Sequence, residues 1–368
     1  MSIKRRVVIG MSGGVDSSVA AFLLQQQGYE VIGVTLKVWS DSCLSRSHEK
    51  CCGPQSISDA RLVAHRLGIP HFVLDEAEAF EEEVISPFIK EYRRGRTPNP
   101  CALCNEKMKF GRLPQKAKAW GAEYVATGHY ARIERDEGGI RLKKAKDERK
   151  DQTYFLFRLE RKTLDRMLTP LGAYGKEEVR NIARKTGLSV WDKEESQGIC
   201  FIPGNRYEGF LAERLGGKQN EAGEIVDLSG KALGRHRGIE FYTVGQRRGI
   251  PGGQGKPLYV LEIDPARQRI VVGPWEALGQ THCFLSDTNW QQPVPATPFP
   301  VNVKVRYNFP AVDAKLTILS DRRARLDFAS PQASVAPGQA AVCYIDDLLL
   351  GGGWIESPLG KNDEEAAP

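Results

Sequence analysis

The chain has 368 residues, of which 41% are hydrophobic and 27% charged, and it carries a formal net charge of +6. That length exceeds one compact core and predicts two or three domains, while the ordinary composition excludes a disordered or fibrous chain. No run approaches the roughly eighteen apolar residues of a membrane span, so no such span is expected.

In chain order, MSIKRRVVIGMSGGVDSS opens basic, but its apolar stretch breaks at a glycine loop. It lacks the apolar core of a secretory leader and reads as the first strand of a cytoplasmic enzyme. RRVVIGM predicts a buried parallel strand, and Val15, Val19, Ala20, Leu23 and Leu24 follow at helical spacing up to Gly28. Strand 29–39, helix 57–68, strand 70–75, helix 77–94, a loop with two cysteines, a helix from 107 and strand 123–130 continue the alternation. That alternation predicts an α/β class, a doubly wound parallel sheet whose ligands lie beyond the carboxyl ends of the strands. From about residue 206 one helix mixes with short strands and many glycines. From 276 short alternating strands such as PVNVKVRY, AKLTILS and RARLDFA predict a small antiparallel β-barrel or sandwich. The expected domains are therefore 1–205, 206–275 and 276–357, followed by a disordered tail, 358–368.

The eight cysteines (43, 51, 52, 101, 104, 200, 283 and 343) suit catalytic or metal-binding thiols better than a disulfide framework in a chain of this kind. Cys43, Cys51 and Cys52 with His48 lack a C-x-x-C pair, so a loop without bound zinc is the simpler reading. Cys283 and Cys343 read as core thiols, and His65 and His71 as structural. His129 fits either a general base or a packing role. Basic clusters at 91–96, 141–150 and 234–238 suit a polyanionic partner, although any one of them alone is an ordinary solvated face.

GMSGGVDSS (10–18) lies between a strand and a helix, where glycines let backbone N–H groups approach phosphate and the helix N-terminus favours an anion. It has no G-K-[ST], so it is not a Walker loop. S-G-G-x-D-S instead resembles the pyrophosphate loop of the ATP pyrophosphatases. With G-R-T-P-N-P-x-x-x-C-N, A-T-G-H-Y-A-R, K-D-Q-T-Y-F-L, S-Q-G-I-C-F-I and R-Y at 306–307 in one order, the chain resembles the bacterial tRNA-specific 2-thiouridylases from Val7 to about Trp354. That resemblance implies an ATP pyrophosphatase domain of the adenine nucleotide α-hydrolase type, a central tRNA-contacting domain and a C-terminal barrel. It implies 2-thiolation of the wobble uridine in tRNAs for Lys, Glu and Gln, with ATP split into AMP and pyrophosphate.

The resemblance also implies roles. Gly10, Met11, Ser12, Gly13, Gly14, Val15, Asp16 and Ser17 would hold ATP, with Leu36 and Gly128 at the adenosine. Asn99, Pro100 and Cys101 would meet the target base, and Lys150, Asp151, Gln152, Arg306 and Tyr307 the tRNA. Cys104 would be the nucleophile and Cys200 the persulfide carrier, with Asp16 also catalytic. The implied partners are tRNA and a sulfur donor, either a cysteine desulfurase or a relay protein; the cofactors are ATP and Mg²⁺. Arg94, Arg96, Lys107 or Lys109 would lower the pKa of Cys104. Cys101 departs from the family pattern, in which aspartate is common. It is either a bystander beside the base or, with Cys104 and Cys200, a ligand of a four-iron four-sulfur cluster. Rival readings are a synthetase of the argininosuccinate or GMP type, an RNA-binding protein with a vestigial loop, and a zinc-stabilised interaction module. Cys104 and Cys200 oppose the first, and the intact loop opposes the second.

Overall fold

The computed structural model describes residues 5–39, 53–195, 198–202, 204, 206–218, 221–251, 256–333 and 335–356. Cys43, His48, Cys51, Cys52 and the tail 358–368 lie outside the described residues. The chain divides into two compact units, the first of residues 1–85, 100–205 and 347–349, the second of 86–99, 206–346 and 350–368. No helix among the described residues is long and apolar enough to cross a membrane.

The elements run in order β1 (Arg6–Gly10), α1 (Val15–Gln26), β2 (Glu30–Lys37), α2 (Pro54–Leu67), β3 (His71–Asp75) and α3 (Ala77–Phe80). A π-helical turn, Glu81–Ile85, interrupts the helix expected over 77–94, and its continuation α4 (Ser86–Arg93) belongs to the second unit. Then come α5 (Pro100–Leu103), a π-helical stretch Cys104–Arg112, α6 (Leu113–Ala119), β4 (Tyr124–Ala126), the hairpin β5 (Arg132–Asp136) and β6 (Gly139–Lys143), α7 (Arg161–Leu164), β7 (Met167–Leu168) and α8 (Lys176–Lys185).

The first unit is built on a parallel sheet ordered β3-β2-β1-β4-β7. Val31–Thr35 of β2 form an unbroken buried run, as a strand covered on both faces requires. Helix α1 is buried around most of its circumference and packs Val15, Val19, Leu23 and Leu24 into a core shared with α2 and α8. Strand order reverses at β1, between β2 and β4, so the crevice at the carboxyl ends of β1 and β4 is where a ligand fits this topology.

In the second unit α9 (Tyr207–Leu215) precedes β8 (Gly223–Val226), β9 (Ala232–His236), β10 (Tyr259–Asp264) and β11 (Arg269–Gly273), which form a sheet ordered β10-β11-β8-β9 over Ile225, Ile239, Val260, Ile270 and Val272. Six further strands, β12 (Gln280–Trp290), β13 (Phe299–Lys304), β14 (Val312–Ser320), β15 (Arg323–Gln332), β16 (Ala340–Ile345) and β17 (Leu348–Ile355), close into an antiparallel barrel through a β12–β17 pairing. Alternate residues of β15 (Ala324, Leu326 and Phe328) face its core, which is the period the sequence displays. Cys283 and Cys343 are buried free thiols, as expected, and burial pushes Cys283 up to about 12.

Candidate nucleotide and thiol site

The glycine loop turns the chain from β1 into α1. Met11 N–H donates to Val34 O at 2.7 Å and Thr35 Oγ1 donates to Met11 O at 2.8 Å, so the loop is pinned to the end of β2, near Leu36. Gly13 has φ +69°, and a Cβ there would lie 2.2 Å from Ser56 O, so only glycine fits. Ser12 N–H donates to Ser17 Oγ at 3.2 Å, and Ser18 Oγ donates to Gly14 O at 2.8 Å. Gly14 provides no side-chain cap, which leaves the positive end of α1 open to an anion.

Gly128, just past β4, approaches this loop from the other side of the crevice. A Cβ on it would lie 2.8 Å from Ser17 N and 2.9 Å from Asp16 C. The strand expected over 123–130 stops at Ala126 because the chain turns here to make that approach. The next residue, His129, is buried with Nδ1 at 2.7 Å from Thr127 Oγ1. Burial holds its pKa well below the ordinary histidine value, and Lys109 reinforces the shift. His129 is therefore a neutral, packed imidazole near pH 7.

Asp16 is the hub of an ionic network that the sequence did not reveal. Its carboxylate accepts from Tyr130 Oη at 2.8 Å and from Lys176 Nζ at 2.8 and 2.9 Å. Lys176 also pairs with Glu195 at 3.0 Å, and Glu195 pairs with Lys150 at 2.7 Å. Gln152 and Tyr130 exchange two hydrogen bonds of 2.9 Å, Tyr130 N–H to Gln152 Oε1 and Gln152 N–H to Tyr130 O. Lys150 and Gln152 are thus tied to the glycine loop. On the opposite side Lys193 Nζ donates to Gly13 O at 2.9 Å and pairs with Asp59. Partial burial opposes ionisation of Glu195, but its two lysines outweigh it and hold the carboxyl below its ordinary range. Lys193 and Glu195 stand beside the sequence motif at 196–202, whereas Lys176 and Asp59 carry no sequence signal at all.

Asp151 has a different environment from its neighbours. It is buried, and its carboxylate accepts Ala145 N–H at 3.0 Å, Thr153 N–H at 3.4 Å and Thr153 Oγ1 at 2.7 Å. It holds the turn that presents Lys150 and Gln152.

Cys101 and Cys104 lie on a helix, not in the loop expected for them. Pro100 suits the first turn because its fixed φ is already helical and it has no N–H to satisfy. The i, i+3 spacing then puts both thiols on one face. Cys104 opens the π-helical stretch, a geometry that concentrates at functional sites. Neighbouring Glu106 is held by Arg158 at 2.9 Å, and Asn105 Nδ2 donates to Phe155 O at 3.1 Å, so the 153–158 segment braces this stretch. Desolvation by the surrounding protein pushes Cys101 up to about 11 and raises Cys104 as well, although both residues are only partly buried. Of the four cations expected to lower Cys104, Lys109 alone is an evident opposing charge, and burial outweighs it. The expected depression is thus corrected to a rise. Arg94 and Arg96 are engaged with Glu91, and Lys107 with Glu106.

Cys200 is exposed in the turn 198–202. Phe201 packs edge-on against Phe80 at 5.7 Å, and the π-helical turn after Phe80 packs on α5 and on the stretch that Cys104 opens. That contact anchors the Cys200 turn to the elements around the C-x-x-C helix. Among the described residues no three His, Cys, Asp or Glu side chains converge as a metal site.

Asn99, Arg306 and Tyr307 belong to the second unit. Asn99 is buried, while Arg306 lies over the Phe309 ring at 5.6 Å and lines a cavity of about 310 Å³ with Tyr92, Thr97 and Tyr207.

A glycine loop opening a buried helix at the switch point of a parallel sheet, beside a helix-borne thiol pair, defines a nucleotide-binding α/β domain equipped for thiol chemistry. Residues 5–204 match the family described as tRNA methyl transferase HUP domain, 208–274 the tRNA methyl transferase PRC-barrel domain and 280–355 the aminomethyltransferase beta-barrel domain. Among curated relatives, the tRNA-specific 2-thiouridylase MnmA of Acidithiobacillus ferrooxidans is 46% identical over 96% of this chain and 98% of its own length. MnmA 1 of Clostridium botulinum is 45% identical over 96% of this chain and 100% of its own, and MnmA of Clostridium perfringens 44% over 97% and 99%. The chain belongs to the tRNA-specific 2-thiouridylase MnmA family.

Proposed function

We propose that this protein carries out ATP-dependent 2-thiolation of the wobble uridine of tRNA. The observation that carries the reading is the pairing, within one unit, of a phosphate loop with a C-x-x-C helix, in a chain that matches 2-thiouridylases along 96% of its length. The uridine 2-oxygen is a poor leaving group. Its attack on the α-phosphate of ATP releases pyrophosphate and turns it into AMP. The loop amides, the α1 N-terminus, Lys176 and Lys193 surround the position that suits the phosphates. Asp16, a carboxylate of the glycine loop, would hold Mg²⁺, an ion that needs only one or two protein carboxylates beside substrate phosphates. When bound, that ion neutralises phosphate charge.

Sulfur arrives as a persulfide on Cys200, whose exposure suits delivery by a partner such as a cysteine desulfurase or relay protein. The Cys104 thiolate attacks the Cys200 sulfur, forms a Cys104–Cys200 disulfide and releases hydrosulfide. Hydrosulfide adds to C2 of the adenylated uridine and AMP departs; an external dithiol then reduces the disulfide. Asn99, Pro100 and Cys101 are assigned to the target base, and Lys150, Gln152, Arg306 and Tyr307 to the RNA, which must present the base unstacked. The proposed route uses Cys104 and Cys200 as thiols and runs through no cluster. The test is incubation of the protein with ATP, Mg²⁺, a cysteine desulfurase with cysteine, and unmodified tRNA. The expected result is 2-thiouridine at the wobble position with stoichiometric pyrophosphate; its absence in folded protein overturns the reading.

A further inference from the structure

Lys176 opens α8, at the helix end that disfavours a cation. Its side chain is nonetheless buried, so local anions must hold it there. Its ammonium meets three oxygens, Asp16 Oδ1 at 2.8 Å, Asp16 Oδ2 at 2.9 Å and Glu195 Oε1 at 3.0 Å, which matches its three donors. The two anions differ. Asp16 is part of the glycine loop and is also held by Tyr130 at 2.8 Å. The Glu195 side chain is as exposed as that of Asp16, but the described partners of its carboxylate are two lysines alone: Lys176 by the loop and Lys150 in the 150–152 segment. A carboxylate held only through two lysines, without the hydrogen bond that Tyr130 gives Asp16, is the more easily displaced, and a phosphate oxygen competes well for the same ammonium groups.

We propose that Lys176 is a positioning residue that orients Asp16 and the phosphate loop for ATP, and that Glu195 is a placeholder anion between Lys176 and Lys150, displaced when substrate phosphate arrives. The proposal deepens the assignment of residues 10–17 to ATP and rests on it. It has a distinctive consequence. Removing the charge of Glu195 strengthens phosphate binding, whereas loss of a merely structural contact weakens it or leaves it alone.

The experiment titrates full-length wild type, Glu195→Gln, Lys176→Ala and Lys176→Arg with Mg²⁺ and the α,β-methylene analogue of ATP by calorimetry, with circular dichroism to confirm folding. Glu195→Gln is expected to bind about two- to fivefold more tightly, the scale of a partly exposed ion pair. Lys176→Ala is expected to bind about tenfold or more weakly, as loss of charged hydrogen bonds implies, and Lys176→Arg recovers most of that loss. Unchanged or weaker binding by Glu195→Gln, while the wild type binds and thiolates tRNA, overturns the placeholder alone. Wild-type affinity in folded Lys176→Ala overturns the role of Lys176. If Lys176→Ala does not fold, the Arg and Gln variants still decide. No analogue binding by folded wild type overturns the ATP-loop assignment itself, and the proposal with it.

Discussion

Gly128→Ala tests the architecture of the glycine-loop site, and the ATP assignment proposed for it, at a single methyl group. The new Cβ would stand 2.8 Å from Ser17 N and 2.9 Å from Asp16 C, both backbone atoms that cannot rotate away. Reaching ordinary contact near 3.4 Å requires the loop and the chain after β4 to separate by about 0.6 Å. Overpacking of this kind costs about 1–3 kcal/mol of stability. The larger effect falls on catalysis, because displacing a positioned reactant by about 1 Å costs on the order of 100-fold. We expect kcat/KM for ATP-dependent thiolation to fall roughly 10- to 100-fold, with the protein still folded. Gly10→Ala is the internal control. Its Cβ would meet Ala126 O, Leu113 Cδ2 and Thr127 Cγ2 all at 3.9 Å, ordinary contact distances, so activity should change by less than about threefold. Thiolated tRNA is quantified by its retardation in a mercury-containing gel over a series of ATP concentrations. Gly128→Ala with wild-type kcat/KM, or a Gly10→Ala defect as large as that of Gly128→Ala, would refute the geometry.

Four further outcomes follow from the site. Because burial raises Cys104 and Lys109 opposes that rise, the thiolate fraction grows with pH above neutrality; Lys109→Gln should move the alkaline rise of the single-turnover sulfur-transfer rate to higher pH, and an unmoved profile removes Lys109 from the site's electrostatics. His129, held neutral by burial, should add no separate titration near pH 6.5. Cys104→Ser and Cys200→Ser should each form no 2-thiouridine yet still release pyrophosphate in a stoichiometric burst, because adenylation needs neither thiol; full thiolation by either variant removes that cysteine from the mechanism. Asp151→Ala deletes three hydrogen bonds to a buried carboxylate and should cost about 2–3 kcal/mol, read as a lower Tm by circular dichroism. An unchanged Tm with weakened tRNA binding would instead place Asp151 on the RNA.

The parallel sheet, the glycine loop and the paired thiols were legible in the sequence because each depends on short-range chemistry. A buried strand needs a continuous apolar run, a phosphate loop needs glycines at fixed offsets, and a barrel strand shows its two-residue period. Even there the local signal had limits. Cys101 and Cys104 looked like loop residues until Pro100 was seen to start a helix. The helix expected over 77–94 is divided, because residues 86–99 pack into the second unit.

Tertiary structure alone decided how the site is charged. Lys176 is 160 residues from Asp16 and Lys193 is 180 from Gly13, and no periodicity links residues so far apart. It also decided that burial prevails over Lys109 at Cys104, since desolvation depends on which atoms surround a thiol and not on which residues flank it. The sequence by itself determined which groups are available for phosphate and sulfur chemistry. The fold determined which of them meet, which carboxylates their cations already hold, and that Asp151 serves the turn beneath the site.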